Sequence, residues 1–224
     1  MPSYKKHALF SIIIALPFIQ DVFYLSLAVI GASIIDMDHH VKKNNLIIMA
    51  TFGFLLSIIL YILKLPFFAG ISLIIMAFIL YISKHRGFSH SIFGTILFSI
   101  FLSFLVLSLY PLINELNVDP KLSLILISLL LSIIVLNKKI LLPFLVLSTA
   151  GIILMPFPNL SPYFTFLAIF TGCISHIILD LFTPSGIRFL NPISRKKFKK
   201  SLGTFLFLLW VFGVLVVYFK DIVF

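Results

Sequence analysis

The sequence of 224 residues has little charge, few acidic residues and almost no cysteine. Charged residues make up 11% of the chain, compared with about 25% in soluble globular proteins, which excludes an ordinary soluble domain. The single cysteine, Cys173, excludes an intrachain disulfide. The sequence also lacks the H-E-x-x-H motif, which argues against a zinc protease of that type.

Apolar residues dominate instead, at 61% of the chain with a mean hydropathy of +1.21. They form long runs from end to end, and a helix that crosses a bilayer needs about 20 apolar residues. The pattern predicts an all-α fold, a polytopic transmembrane helix bundle with about seven full spans in a single membrane-embedded domain over residues 1–224. The predicted spans are Leu46–Leu63, Phe67–Ser83, Ile92–Leu109, Leu122–Leu136, Ile140–Leu154, Tyr163–Phe182 and Leu202–Phe219.

A shorter apolar segment, His7–Ile35, precedes these spans and is interrupted by "PFIQD" at Pro17–Asp21. Proline breaks helices, and glutamine and aspartate are costly in hydrocarbon. The part Ala8–Leu16 reaches only about 13 Å as a helix, which is too short to cross a membrane. We therefore expect a short N-terminal helical hairpin that is re-entrant or packed among the other helices.

The charges follow the gaps between the apolar runs. The gap with Glu115 and Asp119 is the most acidic and is placed outside, and alternation then places 14 of the 17 Lys and Arg residues in cytoplasmic gaps. This distribution explains the net charge of +10 without a nucleic-acid partner. We expect a multi-pass protein of the inner or plasma membrane with the lipid bilayer as its partner.

All six histidines fall at the cytoplasmic face of this topology, in company with three aspartates. His7 lies at the start of the hairpin, and three further groups contain the rest: "DMDHH" with Asp36, Asp38, His39 and His40; "KHRGFSHS" with His85, Arg86 and His90; and "HIILDLFTPSGIRFLNP" with His176 and Asp180. Taken singly, each group could be structural, as a buried polar pair, a solvated helix end or a membrane anchor.

The spacing within the groups suggests metal-binding chemistry. His176 and Asp180 are four residues apart, so on a helix they share one face and can bind one ion, or the aspartate can orient the histidine. Asp36 and Asp38 project the same way only in an extended or turning segment. Gly87 is the expected hinge between His85 and His90, and Ser89 or Ser91 is expected to cap the next helix.

The convergence of the groups on one face predicts a site for Zn²⁺, or alternatively Mn²⁺, because imidazole and carboxylate groups bind these ions. Two or three such ions commonly hydrolyse phosphoesters, and the forked guanidinium of Arg86 suits a phosphoryl group. Arg188 could also meet a phosphate. The basic stretch Arg195–Lys200 is either the anchor of the last helix or a patch for anionic lipid.

The same motifs, in the same order, resemble the membrane-bound metal-dependent hydrolase family, which is described as inner-membrane hydrolases and includes a LexA-regulated bacterial member. That family is distantly similar to zinc-dependent phospholipase C, whose all-helical fold binds three metal ions. The resemblance is confined to the motifs, and Ile35 and Ser89 replace residues that many members have as Pro and Thr. It implies that the metal ligands are His7, Asp36, Asp38, His39, His85, His90, His176 and Asp180.

The sequence therefore predicts a membrane-bound metal-dependent hydrolase, a phosphoesterase that uses metal-activated water, with catalytic roles for Arg86 and Asp38. Its substrate is expected to be a phospholipid, a lipid phosphate or a head-group phosphoester. One alternative is a transporter or channel for a metal or anion that uses the same cluster, although transport sites usually lie near the membrane midplane. A second is a non-catalytic membrane scaffold, in which alanine at His85 and His176 would have no effect on activity or metal content.

Overall fold

A computed structural model of the chain describes residues 3–38, 43–65, 67–156 and 160–223. These residues form nine α-helices and a short 3₁₀ turn at Ile35–Asp38, without a β-strand in the described ranges. The all-helical prediction is confirmed. The helices are α1 (Tyr4–Ala15), α2 (Val22–Ile34), α3 (Lys43–Ile62), α4 (Phe68–Ile82), α5 (Ile92–Asn114), α6 (Pro120–Val135), α7 (Lys138–Leu154), α8 (Pro162–Leu181) and α9 (Lys200–Val223).

Four helices are both long and apolar enough to cross a membrane: Asn44–Ile62, Ile92–Asn114, Pro162–Leu181 and Lys200–Phe219. Helices also occur at the other three predicted spans, but α4, α6 and α7 contain 15, 16 and 17 residues. At 1.5 Å per residue they extend about 22–26 Å, compared with a hydrocarbon core of about 30 Å. The count of about seven spans thus stays a prediction.

The N-terminal hairpin consists of α1 and α2, which pack against each other. The α-helical conformation is interrupted between them at residues 16–21, where the sequence is "LPFIQD". Asp21 accepts hydrogen bonds from the backbone N–H groups of Phe23 (2.8 Å) and Tyr24 (3.4 Å), so it caps α2. An aspartate that looks costly in an apolar segment therefore satisfies helix donors that would otherwise lack partners.

Helix α2 forms the centre of the bundle and packs most extensively against α8. The helices approach closely at two glycines, because a Cβ on Gly31 would overlap the carbonyl oxygen of Ile169 and one on Gly172 would overlap that of Ala28. Near their starts, the Tyr24 hydroxyl accepts a hydrogen bond from the backbone N–H of Ser161 (2.7 Å). Both helices run in the same direction, so their C-terminal ends meet at one end of the bundle.

Candidate metal site

The two aspartates of the "DMD" motif lie in the 3₁₀ turn that follows α2, and both are buried. They share His90 as a neighbour but otherwise contact different residues. Asp36 faces His90 and His176, whereas Asp38 faces His85 and Ser89. Both carboxylates also lie near the ring of His90, with Asp36 Oδ1 3.9 Å from Nε2 and Asp38 Oδ2 3.3 Å from Nδ1.

The second motif forms a loop between α4 and α5. The N–H of Gly87 donates to the carbonyl oxygen of Lys84 (2.7 Å), and a Cβ at Gly87 would lie 2.6 Å from that oxygen. The residue in the left-handed region is Arg86, with φ of 60°, rather than the expected hinge Gly87. Such a conformation is strained for a residue with a side chain, and strain of this kind clusters at functional sites.

The conformation of this loop directs Arg86 towards α8. Its Nη1 donates a hydrogen bond to the Thr183 hydroxyl oxygen (3.1 Å), and its Nη2 lies 3.8 Å from Asp180 Oδ2. Thr183 in turn donates to the backbone carbonyl oxygen of Asp180 (2.7 Å). The guanidinium is therefore fixed beside the third motif.

His176 and Asp180 are fully buried near the end of α8, with Nε2 and Oδ2 3.8 Å apart. They share one face of the helix, as their spacing of four residues predicts. Because α8 and α2 end together, this pair meets the carboxylate of Asp36.

Four donor atoms from three parts of the chain surround one point. His176 Nε2 lies 3.5 Å from Asp36 Oδ1 and 3.8 Å from Asp180 Oδ2. His90 Nε2 lies 3.9 Å from Asp36 Oδ1 and 3.5 Å from Asp180 Oδ2. These separations exceed the 2.7–3.2 Å typical of a hydrogen bond with an N–H donor.

These separations suit a metal ion. Four donors placed tetrahedrally about 2.1 Å from one ion are about 3.4 Å from each other. Among the described residues, Asp36 Oδ1, His90 Nε2 and both oxygens of Asp180 are buried without a hydrogen bond. Polar atoms buried in this way are costly unless a partner satisfies them, so these residues could hold a metal ion.

His7 adds a donor on the far side of Asp180. Its Nε2 lies 3.7 Å from Asp180 Oδ1, and its ring stacks on that of His176 with centroids 3.8 Å apart. His7, Asp36 and His176 offer donors within 4.8 Å of one another, and so do Asp36, His85 and His90. Burial, followed by the neighbouring His176, lowers the pKa of His7 to about 3, which keeps the imidazole in the neutral form that binds metals.

Asp38 contacts the Nδ1 atoms of His85 and His90. Its Oδ1 contacts His85 Nδ1 at 2.9 Å, and its Oδ2 lies 3.3 Å from His90 Nδ1 and accepts a hydrogen bond from Ser89. Burial raises the pKa of Asp38, but the hydrogen bonds from His85, His90 and Ser89 outweigh it and hold the pKa below its usual range. An ionised carboxylate on Nδ1 orients an imidazole so that Nε2 faces the metal.

The structure thus brings together seven of the eight predicted ligands, together with Arg86. His39, the eighth, lies outside the described residues. The cluster contains three buried carboxylates, Asp36, Asp38 and Asp180, and a single guanidinium. A bound divalent cation would neutralise this excess of negative charge.

Ser89 has a contact at the site that the sequence does not predict, because the sequence offers Ser89 and Ser91 equally as caps of the next helix. Ser91 alone caps α5, accepting a hydrogen bond from the N–H of Gly94 (3.1 Å). Ser89 instead bonds Asp38 and lies 3.0 Å from His90 Nδ1. Its place between Arg86 and His90 in a motif rich in ionisable residues was the available signal.

Comparison with known proteins identifies a family. A family model described as "YdjM inner membrane protein" matches residues 1–223. No curated protein and no solved structure matches the chain. The match covers the four helices that are long and apolar enough to cross a membrane, and its description names a location rather than a reaction.

Proposed function

Since the chain belongs to the YdjM inner membrane protein family, and since its buried histidines and aspartates could hold a metal ion, we propose that it is a membrane-bound, metal-dependent hydrolase. The reaction we propose is hydrolysis of a phosphoester in a lipid or its head group. We propose that two or three ions bind. The expected metal is zinc, with manganese as the alternative, because both accept mixed imidazole and carboxylate ligands.

The observation that carries this proposal is the group of four donors on His90, His176, Asp36 and Asp180, whose separations of 3.5–3.9 Å suit one ion. A structural cluster would close these gaps with hydrogen bonds, because unpaired buried polar atoms are unfavourable. Asp180 directs its second oxygen towards His7, an arrangement suited to a carboxylate shared between two ions.

The residues next to the four metal donors have specific roles in the proposed reaction. A bound divalent ion would supply Lewis acidity and lower the pKa of a water molecule. Arg86 would bind the phosphoryl group, since a guanidinium has five N–H donors and the contacts with Thr183 and Asp180 leave some of them for a ligand. Asp38 would hold His85 and His90 in the tautomers that bind metal.

The finer topology is part of the same proposal. We place α4, α6 and α7 as spans in addition to the four longer helices, which gives about seven, with the site facing the cytoplasm. The basic residues around the site support this orientation, because cytoplasmic loops are enriched in Lys and Arg. A site at the end of membrane helices also suits a substrate that arrives from the lipid surface.

Metal analysis tests the proposal first. Protein purified in detergent without exposure to a chelator should contain at least two equivalents of zinc or manganese per chain. The double variant His85→Ala/His176→Ala should lose them while it still elutes as a folded monodisperse species. The metal-loaded protein should then release phosphate from a lipid phosphoester.

Two results would contradict the proposal. Absence of metal from well-folded wild-type protein would leave the cluster structural. Bound metal without phosphate release from any lipid phosphoester, together with metal uptake into proteoliposomes, would favour the transporter.

A further inference from the structure

Two cavities flank the turn that carries Arg86. The larger, of about 600 Å³, is lined by the cations Lys84, Arg188 and Arg195 and by apolar residues that include Ile79 and Ile82. Among the described residues that line this cavity there is no aspartate or glutamate. Its chemistry is therefore that of an amphiphile with an anionic group at one end.

The three cations lack acidic partners in the described part of the chain. The ion pairs found there join histidines and Arg86 to Asp36, Asp38 and Asp180, and none includes Lys84, Arg188 or Arg195. Their positive charge thus borders the cavity without an ion-pair partner among the described residues. Arginine is well suited to binding a phosphate through two parallel hydrogen bonds.

The smaller cavity, of about 220 Å³, has lining residues in common with this region and with the candidate metal site. It shares Lys84 and Arg188 with the larger cavity and is also lined by His85 and Arg86. An anionic group bound between Lys84 and Arg188 would lie next to the residues that surround the metal donors.

An apolar stripe on α4 leads from the larger cavity along the helix. Ile75, Phe78 and Ile82 lie on one face of α4, and their exposed fractions are 41%, 61% and 60%. Such a surface is suited to hydrocarbon chains rather than to water. A soluble phosphate would gain nothing from these apolar residues, whereas the acyl chain of a lipid would cover them.

We propose that the larger cavity binds one anionic phospholipid, with its phosphate among Lys84, Arg188 and Arg195 and an acyl chain along Ile79 and Ile82. The identification of this lipid as the substrate rests on the proposed hydrolase function, whereas its binding does not. The anionic head group would enter through the cationic cavity and reach the metal site past Arg86.

Lipid binding to the full chain tests this inference. Native mass spectrometry would measure the affinity for dioleoyl phosphatidic acid and for dioleoyl phosphatidylcholine, with chelator present to prevent turnover. We expect phosphatidic acid to bind at least tenfold more tightly. Arg188→Gln and Arg195→Gln should each weaken its binding about fivefold.

Lys200→Gln is the matched control, because it removes the same charge from the same basic stretch but lines neither cavity. Its affinity for phosphatidic acid should stay within twofold of wild type. An unchanged thermal midpoint of each variant would show that folding is preserved. Glycerol 3-phosphate, the head group without acyl chains, should not compete.

Equal affinity for the two lipids, equal weakening by Lys200→Gln, or competition by glycerol 3-phosphate would overturn the inference. Hydrolysis is measured separately, as release of phosphate from soluble nitrophenyl phosphate, a phosphomonoester like phosphatidic acid. Absence of this activity together with selective lipid binding would overturn the proposed function alone. Hydrolytic activity without selective lipid binding would overturn the lipid site alone.

Discussion

Asp38 contributes to the candidate metal site by holding other residues in place. It binds the Nδ1 atoms of His85 and His90 and accepts a hydrogen bond from Ser89, while Asp36 faces the four-donor centre. An aspartate in this position fixes which imidazole nitrogen carries the proton. Its predicted role as a direct ligand is untested, and its contacts favour the orienting role.

Replacement of this carboxylate should therefore weaken metal binding without abolishing it. We expect Asp38→Asn to lower metal affinity about 10- to 100-fold, because an amide also offers N–H donors and cannot hold both histidines in the required tautomer. Competition with a chromogenic chelator would measure the affinity. Glu115→Gln, an exposed change at the opposite end of α5, should leave it unchanged.

Arg86 combines a strained backbone with a fixed side chain. Its φ of 60° would suit glycine or asparagine better, so a purely structural role would favour their presence at this position. We expect Arg86→Gly and Arg86→Asn to retain metal but to lower phosphoester turnover about 100-fold or more, by loss of charge stabilisation. Turnover within threefold of wild type in both variants would contradict a catalytic role.

The identity of the clustered residues could be predicted because ionisable side chains are rare in apolar sequence. His7, His90 and Asp180 were therefore conspicuous, and alternation of the spans placed them at one face. The contact between Ser89 and Asp38 could not be predicted in the same way, because it joins residues 51 positions apart. Hydrogen-bond partners at that distance depend on packing, which the local pattern does not encode.

At the scale of helices, the site depends on how closely α2 and α8 approach. One helix leads to Asp36 and the other carries His176 and Asp180, and the contacts at Gly31 and Gly172 set the distance between them. Apolar runs predicted where these helices lie. They could not predict the glycine contacts, since close approach requires knowledge of which helices are neighbours.

A methyl group added at the contact between α2 and α8 should disturb the candidate metal site, although it lies outside that site. We expect Gly172→Ala to destabilise the fold by about 1–3 kcal/mol and to lower metal content, because α8 must shift away from Ala28. Gly213→Ala in α9 is the control, since among the described residues its Cβ would meet Phe18 alone, at 3.8 Å. Thermal unfolding in detergent and elemental analysis would follow both variants, and equal stability would refute this account.

At the scale of the whole molecule, the gaps that contain most of the Lys and Arg residues also contain or adjoin the motifs of the candidate metal site. Ser3 is exposed at the start of α1 near His7, whereas α5 carries the chain away from the site to Leu116. Cys173 is fully buried, so it should not react with an aqueous reagent in the folded protein. The chain therefore permits labelling at single introduced cysteines.

The proposed orientation makes a direct prediction for such labelling. An impermeant maleimide added to spheroplasts should label Leu116→Cys, and it should label Ser3→Cys only after the membrane is opened. Labelling of Ser3→Cys in sealed spheroplasts would place the start of α1 outside and reverse the orientation of the site.

The distribution of the site along the chain has a consequence for biosynthesis. About 140 residues separate Asp38 from His176, so at about 5–20 residues per second the ribosome needs roughly seven to thirty seconds to reach His176 and Asp180. During that interval Asp36 and Asp38 lie in the nascent chain without α8. On the proposed function, the full set could capture a metal ion only after α8 has joined α2, and metal loading would then be a late step in the maturation of the protein.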